Sequence, residues 1–170
     1  AFAQNVRGYA YGDEISFTTT ASPFTIGQAY QGGKIGYIDN TGLHGLICTT
    51  SDVGSSAWGT SGFLNAKGTG QYNTNLIVSV YGPTSYAAGI CNSLNQGGYT
   101  DWFLPSADEL MKIYNNRWAI GGFNGPDFIY WSSTDIYAIG NDADAVDFVS
   151  GSVVMEPKTA SHKVRAVRIF

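Results

Sequence analysis

The chain has 170 residues, 44% of them apolar and only 13% charged, with a formal net charge of −4. Such a chain can fill the core of one domain, and it offers no basic face with which to release counterions from a nucleic acid. Its longest apolar run, residues 76–81, is broken by Ser79 and far too short to span a bilayer, while 22 glycines with 4 Trp, 11 Tyr and 9 Phe suit a loop-rich extracellular module better than a cytosolic enzyme.

Residues 1–20, AFAQNVRGYAYGDEISFTTT, differ in texture from the rest of the chain. They read as a short strand, a polar turn over 4–8, and a second strand in which Ile15 and Phe17 alternate. The stretch resembles the closing β-hairpin of an immunoglobulin-like or fibronectin-type-III-like module of surface proteins, with 21–25 as a linker and 26–170 as the main unit. A competing reading takes Ala1–Ala3 as the end of a secretory signal; both point outside the cell. From residue 26 the pattern predicts a β-hairpin, with strands over 34–38 and 45–49 around a turn at 39–42. Residues 51–72 are a long irregular loop that Trp58 and Phe63 must pin. The stretch 73–82 is read as a helix capped by Asn73, with Leu76, Ile77 and Val80 on one face, although its β-branched residues also allow a strand. A second helix runs from 84 or 85 to about 95 and stops at Gly97–Gly98.

In residues 97–116, GGYTDWFLPSADELMKIYNN, an aromatic strand leads into a helix start. Ser106 and Glu109 have the spacing of a capping box, and Asp108 and Glu109 suit the positive end of the helix. Ala107, Leu110, Met111, Tyr114 and Trp118 form a stripe expected to face a core. Strands follow over 128–132, 145–149 and 152–156, the last two joined by a tight turn at Ser150 and Gly151. The segment 163–170 is apolar on both faces and reads as a central strand. On it Arg165 and Arg168 point to opposite faces, and at least one is expected to be buried against a carboxylate. The sum is an α+β fold, two or three helices packed on mostly antiparallel sheet with long loops.

Candidate chemistry is sparse. Cys48 and Cys91 leave both a disulfide and two buried free thiols open, and His44 and His162 are isolated, which disfavours zinc. Asp135, Asp142, Asp144 and Asp147 could hold calcium, but NDADAVD lacks the spacing and central glycine of a calcium loop; no other cofactor is expected. Ser132 and Ser133 have no histidine near them in sequence, so no enzyme is expected.

The segments GGKIGYIDNTGLHGLI, GTGQYNTNLIV, SYAAGICNSLNQGGYTDWFLPSADEL, YWSSTD and KVRAVRIF resemble, in order, the Lcl C-terminal domain family across residues 26–170. WFLPSADEL with the closing VRAVR is also distantly similar to formylglycine-generating-enzyme-like domains. The resemblance implies a C-type-lectin-like fold and a place on secreted or surface-anchored bacterial proteins, some of them adhesins that bind sulfated glycans. Two departures matter. Phe103 stands where relatives carry Arg before the Leu-Pro pair, and the chain is acidic where those adhesins are positive. The resemblance therefore implies a non-catalytic, adhesin-like module for a neutral glycan or a protein. The rival is a structural tip or spacer that self-associates or takes a partner by β-augmentation. In C-type-lectin-like folds the loops between helices and closing strands bind, here 133–145 and 157–162. They are polar and flanked by strands that can position them. Tyr137 offers a stacking face, Asn141, Asp142 and Asp144 acceptors, Lys158 and His162 donors, with Trp118 as a further aromatic.

Overall fold

The computed structural model describes residues 2–5, 8–11, 22–60, 62, 64–83, 85–123, 128–135 and 140–170. The first of these form a ladder of their own: β1 (Phe2–Asn5) pairs antiparallel with β2 (Gly8–Tyr11). The expected strand around Ile15 and Phe17 lies outside the described residues, as does Phe63.

Four strands make one antiparallel sheet: β3 (Ala29–Tyr30), β4 (Gly33–Ile38), β5 (Gly45–Cys48) and, from the far end of the chain, β11 (Val167–Ile169). Their order is β11-β5-β4-β3. The β4–β5 hairpin is the one expected from sequence, its turn closed by Gly42 N–H donating to Asp39 O at 3.0 Å. The second sheet is built from β6 (Gly54–Ser56), β7 (Ile129–Trp131), β8 (Asp142–Asp147), β9 (Ser152–Pro157) and β10 (His162–Val164). Its order is β6-β10-β7-β8-β9, antiparallel except for the β7–β10 pair.

The terminal segment is therefore not one central strand. It divides into β10, which is central in the five-stranded sheet, and β11, which is an edge of the other. The chain crosses between them at Arg165 and Ala166. The outer side of β11 is met by one backbone pair: Phe103 and Val167 exchange both hydrogen bonds at 2.8 and 3.0 Å. Beyond that pair, 97–105 has only the local Gln96–Tyr99 bridge. The aromatics there are held by burial, with Trp102, Phe103 and Leu104 sealed from solvent, and not by a sheet ladder.

Among the described residues four helices cover the sheets: α1 (Gly70–Tyr81), α2 (Ala87–Asn92), α3 (Ala107–Asn115) and α4 (Arg117–Ile120). The cap of α1 is Thr69, whose hydroxyl accepts from Tyr72 N–H at 3.3 Å. Asn73, expected there, lies one turn inside the helix and is buried. Its amide clamps Gly68 and reaches Ser133 Oγ. The capping box of α3 is complete. Glu109 Oε2 accepts from Ser106 N–H at 2.9 Å and also from Gly70 N–H at 3.1 Å, so one carboxylate serves the starts of two helices. α2 ends at Asn92, and Gly97 and Gly98 instead form a separate turn closed by Gln96 and Tyr99.

Two apolar cores lie on opposite sides of the strands. Trp58, Ile77, Cys91, Trp102, Leu104 and Trp131 belong to one, with α1 and α2. Leu110, Ile113, Ile120, Tyr130, Phe148 and Val167 belong to the other, with α3 and α4. Successive side chains on a strand point to opposite faces, and β5 and β8 feed both: Ile47 and Ala145 the first core, Leu46, Cys48 and Val146 the second. No helix among the described residues is long and apolar enough to cross a membrane.

Candidate functional site

The polar loops nominated by sequence divide when folded. Tyr137 lies outside the described residues. Asn141 is exposed, Asp142 is half-buried at the head of β8, and Asp144 is buried within it. The strand starts earlier than the 145–149 expected, which takes these acids out of a loop and into the ladder. His162 is half-buried on β10, with its Nε2 3.2 Å from Glu156 Oε2 and its ring 4.9 Å from that of Trp131.

Lys158 is fully buried. Its three ammonium donors reach Asp135 Oδ2 at 2.8 Å and the carbonyls of Gly62 and Gly140, and the ammonium lies 4.8 Å from the Trp58 ring centre. Asp135 Oδ2 also accepts from Leu64 N–H at 2.8 Å. An ammonium has three donors, so Lys158 is spent inside the fold, as a clamp between the loop at 62–66 and the closing strands. The four aspartates weighed for calcium are dispersed likewise. Asp135 is under Lys158, Asp144 is in β8, and Asp147 holds the β8–β9 turn through Val149 N–H and Ser150 Oγ. Those bonds draw the Asp147 carboxyl below its ordinary range, Ser150 first among them. Among the described residues no group of three or more His, Cys, Asp or Glu side chains could hold a metal.

The closing arginines behave as structural ions. Arg165 is fully buried at the crossing between the sheets, 2.7 Å from Asp52 Oδ1, and donates to Thr49 O at 2.8 Å and to Gly122 O. Arg168 grips both oxygens of Asp101 at 2.7 and 2.9 Å, and this pairing pulls the Asp101 carboxyl below its ordinary range. Ser132 and Ser133 are buried mortar: Ser132 Oγ donates to Asp144 O, and Ser133 N–H to Pro105 O. Both cysteines are free and buried; burial pushes the Cys48 thiol up to about 12 and the Cys91 thiol further.

Trp118 is the opposite case. It is 84% exposed, although the α3 stripe assigned it to a core. The helix does not continue to it. At Asn116 the backbone leaves helical geometry (φ −106°, ψ 9°), Asn116 Nδ2 bonds Gly36 O at 2.9 Å, and the chain restarts as α4. The offset hands the core position to Ile120 and turns Trp118 outward. Beside it lies a hollow of about 90 Å³, lined by Arg117, Trp118, Gly121, Gly122, Phe123, Phe128 and Phe148. Arg117 is stacked between two rings, 3.8 Å from the Tyr114 centre and 4.9 Å from that of Trp118, and one guanidinium nitrogen donates to Tyr114 O at 2.9 Å. No carboxylate pairs with it among the described residues. Gly122 has φ +76°, and a Cβ there would sit 2.1 Å from Thr50 O; only glycine fits.

An exposed indole, a guanidinium over its ring and a hollow lined by three phenylalanines make an apolar stacking surface with a few placed donors, as small-ligand sites have. Of the nominated residues that are described, only Trp118 takes part. Arg117, Phe123 and Phe128 escaped the sequence reading, although Asn115–Asn116 and Gly121–Gly122 mark the helix breaks that create the corner.

The family model of the Lcl C-terminal domain matches residues 40–168. No curated protein matches the chain.

Proposed function

The chain belongs to the Lcl C-terminal domain family, a family of bacterial surface and secreted domains, and on that footing we propose that it is a non-catalytic, adhesin-like module of a secreted or cell-surface protein that takes a glycan on the Trp118 corner. The observation that carries this reading is the exposure of Trp118 beside an aromatic hollow. An indole that is 84% exposed makes no use of its area in folding, and sugars stack their apolar C–H faces on such rings while fixed polar groups take their hydroxyls. Arg117 supplies donors at the right place, and its stacking between Tyr114 and Trp118 keeps it from swinging away. The non-catalytic part rests on what the reactive groups are engaged in: Ser132 and Ser133 are buried and hydrogen-bonded, and both thiols are sealed in the cores. Screening the chain on a glycan array and titrating the hits by calorimetry tests the reading. Trp118→Ala should weaken the bound glycan about tenfold to a hundredfold, the range of a truncated aromatic anchor, with the melting temperature unchanged. A verified glycan whose affinity survives Trp118→Ala overturns the site, and an array without hits overturns the ligand class.

A further inference from the structure

β9 is the outer strand of the five-stranded sheet, and no described strand pairs with its far side. The β8–β9 register determines what that side presents. Lys158 N–H donates to Asn141 O, which extends the ladder by one step as a hydrogen-bonded pair. Bonded and non-bonded pairs alternate along an antiparallel ladder, so Ser152, Val154 and Glu156 bond inward to β8. Val153 and Met155 turn their N–H and C=O groups outward. The same two residues expose apolar side chains, 47% and 58% respectively, on the face they share with Val146. Open apolar edges template another strand, and proteins usually guard them with charge. The one charge on β9, Glu156, points to the other face, toward His162.

This edge is complementary to itself. When a second β9 is laid antiparallel about a two-fold axis through Val154, Val153 stands opposite Met155 of the second copy and exchanges both backbone bonds with it, and the symmetric pair does the same. Ser152 faces Glu156 of the second copy, so no like charges meet. Pro157, which has no N–H to give, falls opposite Gly151 at the end of the ladder, where none is needed. The contact is isologous and closes at two copies. We propose that the β9 edge is a homodimer contact, in which two chains pair antiparallel over residues 152–156 and join their five-stranded sheets into one.

Sedimentation velocity on the full chain over a wide concentration range should show a monomer–dimer equilibrium. The double variant Val153→Lys/Met155→Lys sets lysines directly opposite one another and should weaken the dimer at least tenfold, with far-UV circular dichroism unchanged and, at dilutions where the parent chain is monomeric, an unchanged melting temperature, because both side chains are exposed. Register is read by cysteine: Val154→Cys lies on the axis and should give a covalent dimer on mild oxidation. Val153→Cys should not, since its copies stand too far apart across the axis to bridge. A chain that stays monomeric at every concentration overturns the proposal. So does a dimer or larger oligomer that persists with both lysines, or cross-linking at 153 in preference to 154.

Discussion

Around Asp135 and Lys158 charge is packed beneath apolar surface; around Trp118 apolar surface is turned outward with a cation laid against it. Both corners combine aromatic rings with a positive charge. At the first the ammonium is sealed under Trp58 with every donor taken. At the second the guanidinium lies between Tyr114 and Trp118, with no carboxylate paired to it among the described residues. The difference separates a charge that holds the fold together from one at the corner we propose as the ligand site. A buried ion must be fully satisfied by its own chain because nothing else can reach it, and a binding corner keeps its stacking face and some donors unsatisfied.

The contrast breaks most visibly at Lys158. Lys158→Met leaves the Asp135 carboxylate buried without its cation and should cost roughly 3–5 kcal/mol in urea unfolding, because the orphaned charge loses more than a contact. The double variant Asp135→Asn/Lys158→Met should recover a large part of that. A loss below about 1 kcal/mol for the single variant would mean that water reaches the pair, and the two corners would then be alike. At the other corner Trp118→Ala should shift unfolding by no more than about 0.5 kcal/mol, as surface changes do, while costing about 1–3 kcal/mol of ligand binding by calorimetry. Equal losses in both measurements would make Trp118 part of the fold.

Smaller effects sharpen the comparison. Ser106→Ala removes the side-chain half of the α3 cap and should cost about 1 kcal/mol. Glu109→Ala should cost more than Ser106→Ala, because Glu109 also accepts from Gly70 N–H at the start of α1; equal values would mean that the link between the helices adds nothing. Smallest is Asp101, half-exposed and paired with Arg168. Its folded-state pKa is lowered, so the pair stabilises above the unfolded value of about 4, and that contribution is lost as pH falls through the lower folded value. Asp101→Asn should therefore lose a fraction of a kcal/mol at pH 7 and flatten the acid limb of stability against pH. An unchanged acid limb would show the pairing to be solvent-screened throughout.

Much of the architecture was legible because its signals are local. The β4–β5 hairpin, the α1 periodicity and the Ser106–Glu109 box each depend on residues within a few positions of one another; the β8–β9 turn is local too, but it spans 148–151 and not the two residues expected, because β8 ends at Asp147. The resemblance carried by segments such as GGKIGYIDNTGLHGLI, SYAAGICNSLNQGGYTDWFLPSADEL and KVRAVRIF led to the family. The site was legible only in part. The loops around Asp142 and Lys158 look like binding loops because they are polar, yet sequence gives no distance from Lys158 to Asp135, Gly62 and Gly140, which lie 23, 96 and 18 positions away. The α3 stripe through Trp118 looks like core because periodicity assumes a continuous helix, and the break at Asn116 is stabilised from outside the helix, by Gly36 O.

By itself, then, the sequence determined the β4–β5 hairpin, the helical stretches of α1 and α3 with the α3 cap, that the charges are few and net negative, and that at least one closing arginine must find a carboxylate. Tertiary structure alone decided that the closing segment splits between two sheets at Arg165, that Lys158 is spent internally, and that Trp118 faces solvent. The physical reason is range: caps, turns and periodicity act over the few ångströms between sequence neighbours, whereas burial and the satisfaction of charge are settled by whatever distant segments pack alongside.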